Sequence, residues 1–153
     1  MSMLALTARF ATFARVHYAT DEDVGAPWAL SDNLPGERGG QRPIWTTLVR
    51  AKGAYVLVAT ECQLIVGAVV ASLNHRNQAV CISWLGVTPA ARGRGVGHLL
   101  LKTIVDRMVV EGARTVSVAL PADHQDLKHL LLGHGFIEVR PGTFRLPIHG
   151  HLI

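Results

Sequence analysis

From residue 53 onward the chain switches between two hydrophobic patterns, and the switches divide it into elements. Tyr55 to Thr60 and Leu64 to Leu73 are rich in Val, Ile and other strand formers, and Glu61-Cys62-Gln63 between them reads as the turn of an antiparallel hairpin. Asn74 to Gln78 is a polar turn, and Ala79 to Val87 is the third strand of this meander. The period then changes. Val96, Leu99, Leu100, Ile104, Val105 and Met108 fall on one helical face, Lys102, Asp106 and Arg107 fall mostly opposite, and Gly112 closes the helix. Thr115 to Leu120 alternates Val116, Val118 and Leu120, and Pro121 stops that strand. A helix is expected from about His124 to Gly133, and Phe136 to Val139 with Thr143 to Ile148 flank Pro141-Gly142 as a last hairpin.

The first third is less regular. Leu4, Leu6, Ala8 and Phe10 alternate like a strand, while Leu6, Phe10 and Phe13 fit a helix face equally well. Val16 to Ala19 reads as a short strand, and Thr20 with Asp23 three residues on is a capping-box start for a helix that fades by Asp32. Residues 33 to 43 hold Pro35, Gly36, Gly39, Gly40 and Pro43 and form a loop; Pro43 opens a second helix that runs to about Lys52 and ends at Gly53. The expected order is β, α, α, β, β, β, α, β, α, β, β, an α/β domain with about four helices. At 153 residues, with neither repeats nor low-complexity tracts, residues 1–153 make a single domain, of which 1–15 can be an N-terminal extension.

The segment between the third strand of the meander and the long helix carries the chemistry. Gly93, Gly95 and Gly97 follow a Pro-marked turn and open directly onto the helix. Glycines let backbone approach a ligand closely, and the first turn of a helix presents amides with no intrahelical partner. Together with the helix dipole they favour an anion such as a phosphate or pyrophosphate, and Arg92 and Arg94 add positive charge. Two phosphate motifs do not fit. A P-loop needs Lys followed by Ser or Thr after its last Gly, where His98-Leu99 stand; a dinucleotide fingerprint counted from Gly93 needs a Gly where His98 stands. The alternative is an ordinary strand-to-helix connection.

What does fit is Arg-x-x-Gly-x-Gly across Arg92, Gly95 and Gly97, with Val87 five residues before the Arg. With its flanking strand and helix, this pattern resembles the GNAT acyltransferase superfamily, from about Val16 to some forty residues beyond the loop. The resemblance implies the GNAT fold: a mixed, mostly antiparallel sheet splayed between its fourth and fifth strands. It implies acetyl-CoA as cosubstrate, with pantetheine entering the splay beside the backbone of Leu85, Gly86 and Val87. Pyrophosphate would rest on the amides of Arg92, Gly93, Arg94, Gly95, Val96, Gly97 and His98. The implied activity is acetyl-CoA-dependent N-acyl transfer, a transferase reaction that moves acetyl directly to an amine.

Acetyl transfer needs a neutral amine, a polarised carbonyl and a proton for the leaving thiolate. Here the chain departs from the family. Cys81 stands where some members carry a Glu base, Leu131 where a Tyr acid is common, and His124 where an Asn often opens the following helix. His124 is therefore the candidate acid, its imidazole titrating near neutral pH, with a helix-end surface residue as the plain alternative. Cys81 is a candidate acyl acceptor or simply a small apolar strand residue, and Ser83 can position a water. These departures keep open a second function, a catalytically weak acyl-CoA-binding sensor or partner module.

Composition narrows the partners. A net charge of +4 suits an anionic cofactor, but the Lys and Arg residues are scattered without interleaved aromatics, so no nucleic-acid partner is expected. The longest apolar run, Leu64 to Leu73, is about half a membrane span, so no membrane partner is expected either. His124, His129 and His134 are spaced by five and do not share a helical face, and His149-x-His151 reads as a solvated tail, so no metal is expected. Two cysteines without framework spacing, Cys62 and Cys81, suit a reducing cytoplasm. Arg9 and Arg15 without an acid in the first twenty residues give a transit-peptide composition, which a strand or helix packed on the domain explains equally. Asp21, Glu22, Asp23, Asp32 and Glu37 with Trp28 and Trp45 form an acidic, aromatic stretch suited to a small-molecule or peptide amine acceptor. A homodimer is compatible with all of this.

Overall fold

A computed structural model describes residues 14–19, 53–120 and 125–148. Seven strands form one sheet: β1 (Arg15–Tyr18), β2 (Ala54–Glu61), β3 (Leu64–Asn74), β4 (Ala79–Val87), β5 (Thr115–Ala119), β6 (Ile137–Arg140) and β7 (Thr143–Pro147). Two α-helices, α1 (Val96–Val110) and α2 (Gln125–Gly133), and a 3-10 turn at Pro89–Ala91 complete the described elements. The expected helices over residues 20–32 and 43–52, the pattern at Leu4 to Phe10 and the acidic, aromatic stretch all lie outside the described residues.

The sheet runs β1-β2-β3-β4-β5-β7-β6. Every neighbouring pair is antiparallel except β4 with β5, which is parallel and therefore requires the crossover through α1. The hairpin between β2 and β3 is tighter than the sequence suggests. Glu61 is the last residue of β2, and only Cys62 and Gln63 turn, both at positive φ (50° and 67°). Such primed turns match the twist of a hairpin but usually use Asn or Gly, which is why the sequence does not announce this one. At the β3–β4 connection the Asn74 Oδ1 accepts the Arg76 amide at 2.9 Å and the Asn77 Oδ1 accepts the Ala79 amide at 3.1 Å.

One face of the sheet carries the main core. Val96, Leu100, Leu101, Ile104 and Met108 of α1 and Leu131 of α2 pack there against Leu57, Val69, Ile82, Val116, Val118 and Phe144. Both helices end in the same way, on a left-handed glycine that lets two amides turn back to helical carbonyls. After α1 these bonds run from Gly112 to Val109 and from Ala113 to Met108; after α2 they run from Gly135 to Leu132 and from Phe136 to Leu131. Leu131 thus doubles as the residue on which the α2 stop is built. On the opposite face Val56, Val58, Ile65, Ala68, Val70 and Trp84 form a second buried cluster.

Candidate functional site

Strand β4 makes the site by changing phase in its middle. Its register against β3 slips between Val70/Trp84 and Ala71/Ile82, leaving Ser83 as an extra residue. Val80 and Ile82 point into the main core before this bulge, and Leu85 does so after it, while Trp84 joins the opposite cluster. A bulge bends a strand and sharpens its twist. The consequence lies on the other side of β4: its parallel pairing with β5 covers only Ala79↔Thr115 to Ile82↔Val118. From Ser83 to Val87 the two strands part.

The space between them is a cleft of about 70 Å³ walled by Ile82 to Leu85 of β4, Val118 to Leu120 of β5, and Leu127 and Leu131 of α2. This wall is apolar apart from the Ser83 hydroxyl and the Trp84 indole, and it contains no titratable side chain. The Ser83 hydroxyl donates to the Val70 carbonyl at 3.4 Å.

The glycine loop stands at the same end of β4. Thr88, buried, donates its amide to the Val66 carbonyl at 2.8 Å, and Pro89–Ala91 form one 3-10 turn. Gly93 and Gly95 both adopt left-handed φ, 80° and 86°, and Gly95 is the N-cap of α1. The first bond of the helix is from the Leu99 amide to the Gly95 carbonyl at 3.0 Å, so the amides of Val96, Gly97 and His98 precede the helical ladder. No acidic side chain lies in the first turn of α1, where one would ordinarily neutralise the dipole. A Cβ built on Gly93 meets nothing within 4 Å, so the loop is open on that side. Free amides, an uncompensated helix end and an open glycine beside a parted strand fit a phosphate-bearing cofactor with an extended arm.

The two arginines play different parts. The Arg92 Nε donates to the carbonyl of Val87 at 3.1 Å, tying the loop to the end of β4. Arg94 forms a 2.8 Å ion pair with Glu61 at the end of β2. Of the remaining sequence candidates, Leu85 and Gly86 are buried on the parted length of β4, and Gly97 packs beside Leu130 and Val87. Cys81 is exposed, on the still-paired part of β4, and Cys62 is exposed in the β2–β3 turn; both are free thiols. His124 lies outside the described residues.

Two features escaped the sequence reading. Glu61, expected in the β2–β3 turn, ends β2 and carries the Arg94 contact. His134, just beyond α2, comes within hydrogen-bonding distance of His98, Nε2 to Nδ1 at 2.8 Å, with ring centroids 4.9 Å apart. Burial, then the neighbouring His98 and Lys102, hold the His134 imidazole below its ordinary protonation range. Among the described residues no three His, Cys, Asp or Glu side chains group as metal ligands, and no helix is long and apolar enough to cross a membrane.

Comparison with known proteins gives a consistent result. Residues 21–136 match the model of the acetyltransferase (GNAT) family. No curated protein matches the sequence. Among solved structures, the ribosomal-protein-S18-alanine N-acetyltransferase from Escherichia coli superposes with a TM-score of 0.76 at 13% identity, covering 92% of this chain and 99% of its own. An N-acetyltransferase from Staphylococcus aureus Mu50 gives 0.76 at 16%, covering 89% and 99%. The yncA protein of Salmonella typhimurium, solved with its cofactor acetyl-CoA, gives 0.72 at 18%, covering 93% and 98%.

Proposed function

The chain belongs to the acetyltransferase (GNAT) family, and we propose on that premise that it is an N-acetyltransferase moving an acetyl group from acetyl-CoA directly to an amine. The observation that carries this reading is the parting of β4 from β5 after Ile82, with the α1 amide cradle at the same end of β4. When bound, acetyl-CoA supplies the acyl group already activated as a thioester.

The protein's part is binding and orientation. The amides from Gly93 to His98 hold the diphosphate, the Arg92 amide expected with them being bonded to the Pro89 carbonyl at 3.3 Å, and the unpaired edge of β4 around Leu85, Gly86 and Val87 lies along the arm as a neighbouring strand would. Arg92 keeps the loop and the strand end in fixed relation through the Val87 carbonyl. An amide of β4 near Val87 polarises the acyl carbonyl. The apolar cleft wall excludes water from the reacting centre, and proton delivery to the leaving thiolate is assigned to His124. The acceptor is a small-molecule or peptide amine, to be bound by the acidic, aromatic stretch of residues 21–45 together with the last hairpin. Two free thiols suit a reducing compartment, the cytoplasm.

One observation favours a second reading. The described cleft wall holds no titratable group, and Leu131, which stands where the family resemblance implies a Tyr acid, lines it. A protein that binds acyl-CoA as a sensor or partner module would need none. Calorimetry with acetyl-CoA followed by a thiol-release assay over an amine panel separates the two. Binding with turnover on at least one amine is expected. Binding with no turnover on any amine establishes the second reading.

A further inference from the structure

We propose that His98 and His134 act as one proton-holding unit of the phosphate site, taking up a proton from solvent when an anion occupies the glycine loop. The proposal rests on the cofactor reading above. His98 is the third residue of α1, within the amide cradle, and His134 follows the last residue of α2. Their contact joins the positive end of one helix to the carbonyl end of the other at 2.8 Å.

At that separation the facing nitrogens have room for one hydrogen between them. A neutral pair or a singly protonated pair keeps the bond; a doubly protonated pair sets two N–H groups against each other. In the free protein burial, then His98 and Lys102, hold the His134 imidazole below its ordinary protonation range. His98 sits at the positive end of α1 with no acid in that turn. Lys102, one turn along α1, adds charge, although it also pairs with Asp106 at 2.7 Å. From the loop, Arg94 is matched by Glu61. From α2 and β6, Lys128 is matched by Glu138 at 3.5 Å, so neither offers an uncompensated carboxylate.

A bound phosphate reverses the sign of this field. Negative charge at the α1 amides and the carbonyl end of α2 both favour one extra proton shared by the pair. Linkage then requires phosphate affinity to rise as pH falls through the neutral range. His134 contributes to the phosphate site although it belongs to a different helix from the loop.

The test is calorimetry on the intact protein with dephospho-CoA, whose diphosphate stays fully ionised over the range and adds no phosphate titration of its own. Wild type, His134→Gln and His98→Gln are each titrated at pH 6, 7 and 8, in two buffers of different ionisation enthalpy. The wild type is expected to bind at least threefold more tightly at pH 6 than at pH 8, and to take up a measurable fraction of one proton at pH 7. Both variants are expected to bind with a nearly flat pH profile and little uptake. Imidazole nitrogen NMR should show the pair's titration moving to higher pH on binding. Tight binding by wild type with no uptake and no pH dependence overturns the proposal, as does uptake that persists in both variants. If folded wild type binds neither dephospho-CoA nor acetyl-CoA at any pH, the cofactor reading itself fails and takes the proposal with it.

Discussion

Arg94 in the glycine loop is held by Glu61 at the end of β2, Nη2 to Oε1 at 2.8 Å. The Glu61 side chain is 12% exposed and the Arg94 side chain 43%, so solvent screens the pair only in part. The contact anchors the loop to a hairpin that is not its neighbour in sequence. A double-mutant cycle with Glu61→Gln and Arg94→Gln should give a coupling of about 0.5–1 kcal/mol in urea melts, the upper part of the range for partly exposed pairs. Additive single effects would show that the pair does not anchor the loop.

Gly67 on β3 is a packing requirement, independent of the ligand. A Cβ there would lie 2.9 Å from Leu100 Cδ1, 3.0 Å from the Gly86 carbonyl oxygen and 3.2 Å from Val96 Cγ1. The side chains can yield, but the carbonyl belongs to a paired strand. Gly67→Ala should therefore destabilise the protein by about 1–3 kcal/mol and push α1 outward at its cradle end. Chemical denaturation checks the first effect and acetyl-CoA affinity the second; an unchanged midpoint would contradict the close approach of β3 to α1.

The His134 imidazole is held below its ordinary value of 6.5 by burial first, and by His98 and Lys102 after that. The sign follows directly. Around and below that value the unfolded chain takes a proton that the folded protein resists, so this contribution is complete above about pH 7 and is lost as pH falls towards the folded value. Without ligand, wild type should lose more stability between pH 7.5 and pH 5 than His134→Gln does. Thermal melts at the two pH values give the comparison, and parallel losses in the two proteins would remove the effect.

Much of this architecture was legible because the chain punctuates itself. Pro89, the three loop glycines, Gly112 and Gly142 mark the ends of elements in the sequence itself. The helix face was read nearly correctly: Leu100, Ile104 and Met108 are fully buried, but so is Leu101, while Leu99 is only half-buried. The face is rotated because α1 packs along β2, β3 and β4 and reaches β1. The bulge at Ser83 left a trace that went unread. Apolar positions run Val80, Ile82 and then Leu85, Val87, a one-residue slip in the period of two. The partners of Arg94 and His98 left none, because Glu61 and His134 are brought to them only by the order of strands and the crossing of two helices.

Leu131 is fully buried, lines the cleft and anchors the α2 stop through Phe136. Leu131→Tyr should place a phenol at the cleft and raise kcat on a good amine acceptor, at a stability cost of about 1–3 kcal/mol for the added volume. His124→Ala should lower kcat at least tenfold with little change in acetyl-CoA affinity, within the range of about 10²–10⁴ that acid catalysis supplies. Wild-type kcat in His124→Ala from pH 6 to 9, with no gain from Leu131→Tyr, would mean that the thiolate leaves directly to solvent.

The central claim is that the α1 end of the glycine loop holds the cofactor's diphosphate, and Gly95→Asp tests it. Gly95 caps α1 at φ 86°, a conformation that Asp tolerates better than most residues. The strain of a side chain in that conformation is about 1–2 kcal/mol, small enough for the fold to survive. The Asp carboxylate would repel a diphosphate and occupy its place. Calorimetric titration of acetyl-CoA into wild type and Gly95→Asp, with circular dichroism to confirm folding, should show binding in the first and none in the second. Undiminished affinity in a folded Gly95→Asp protein would contradict the account.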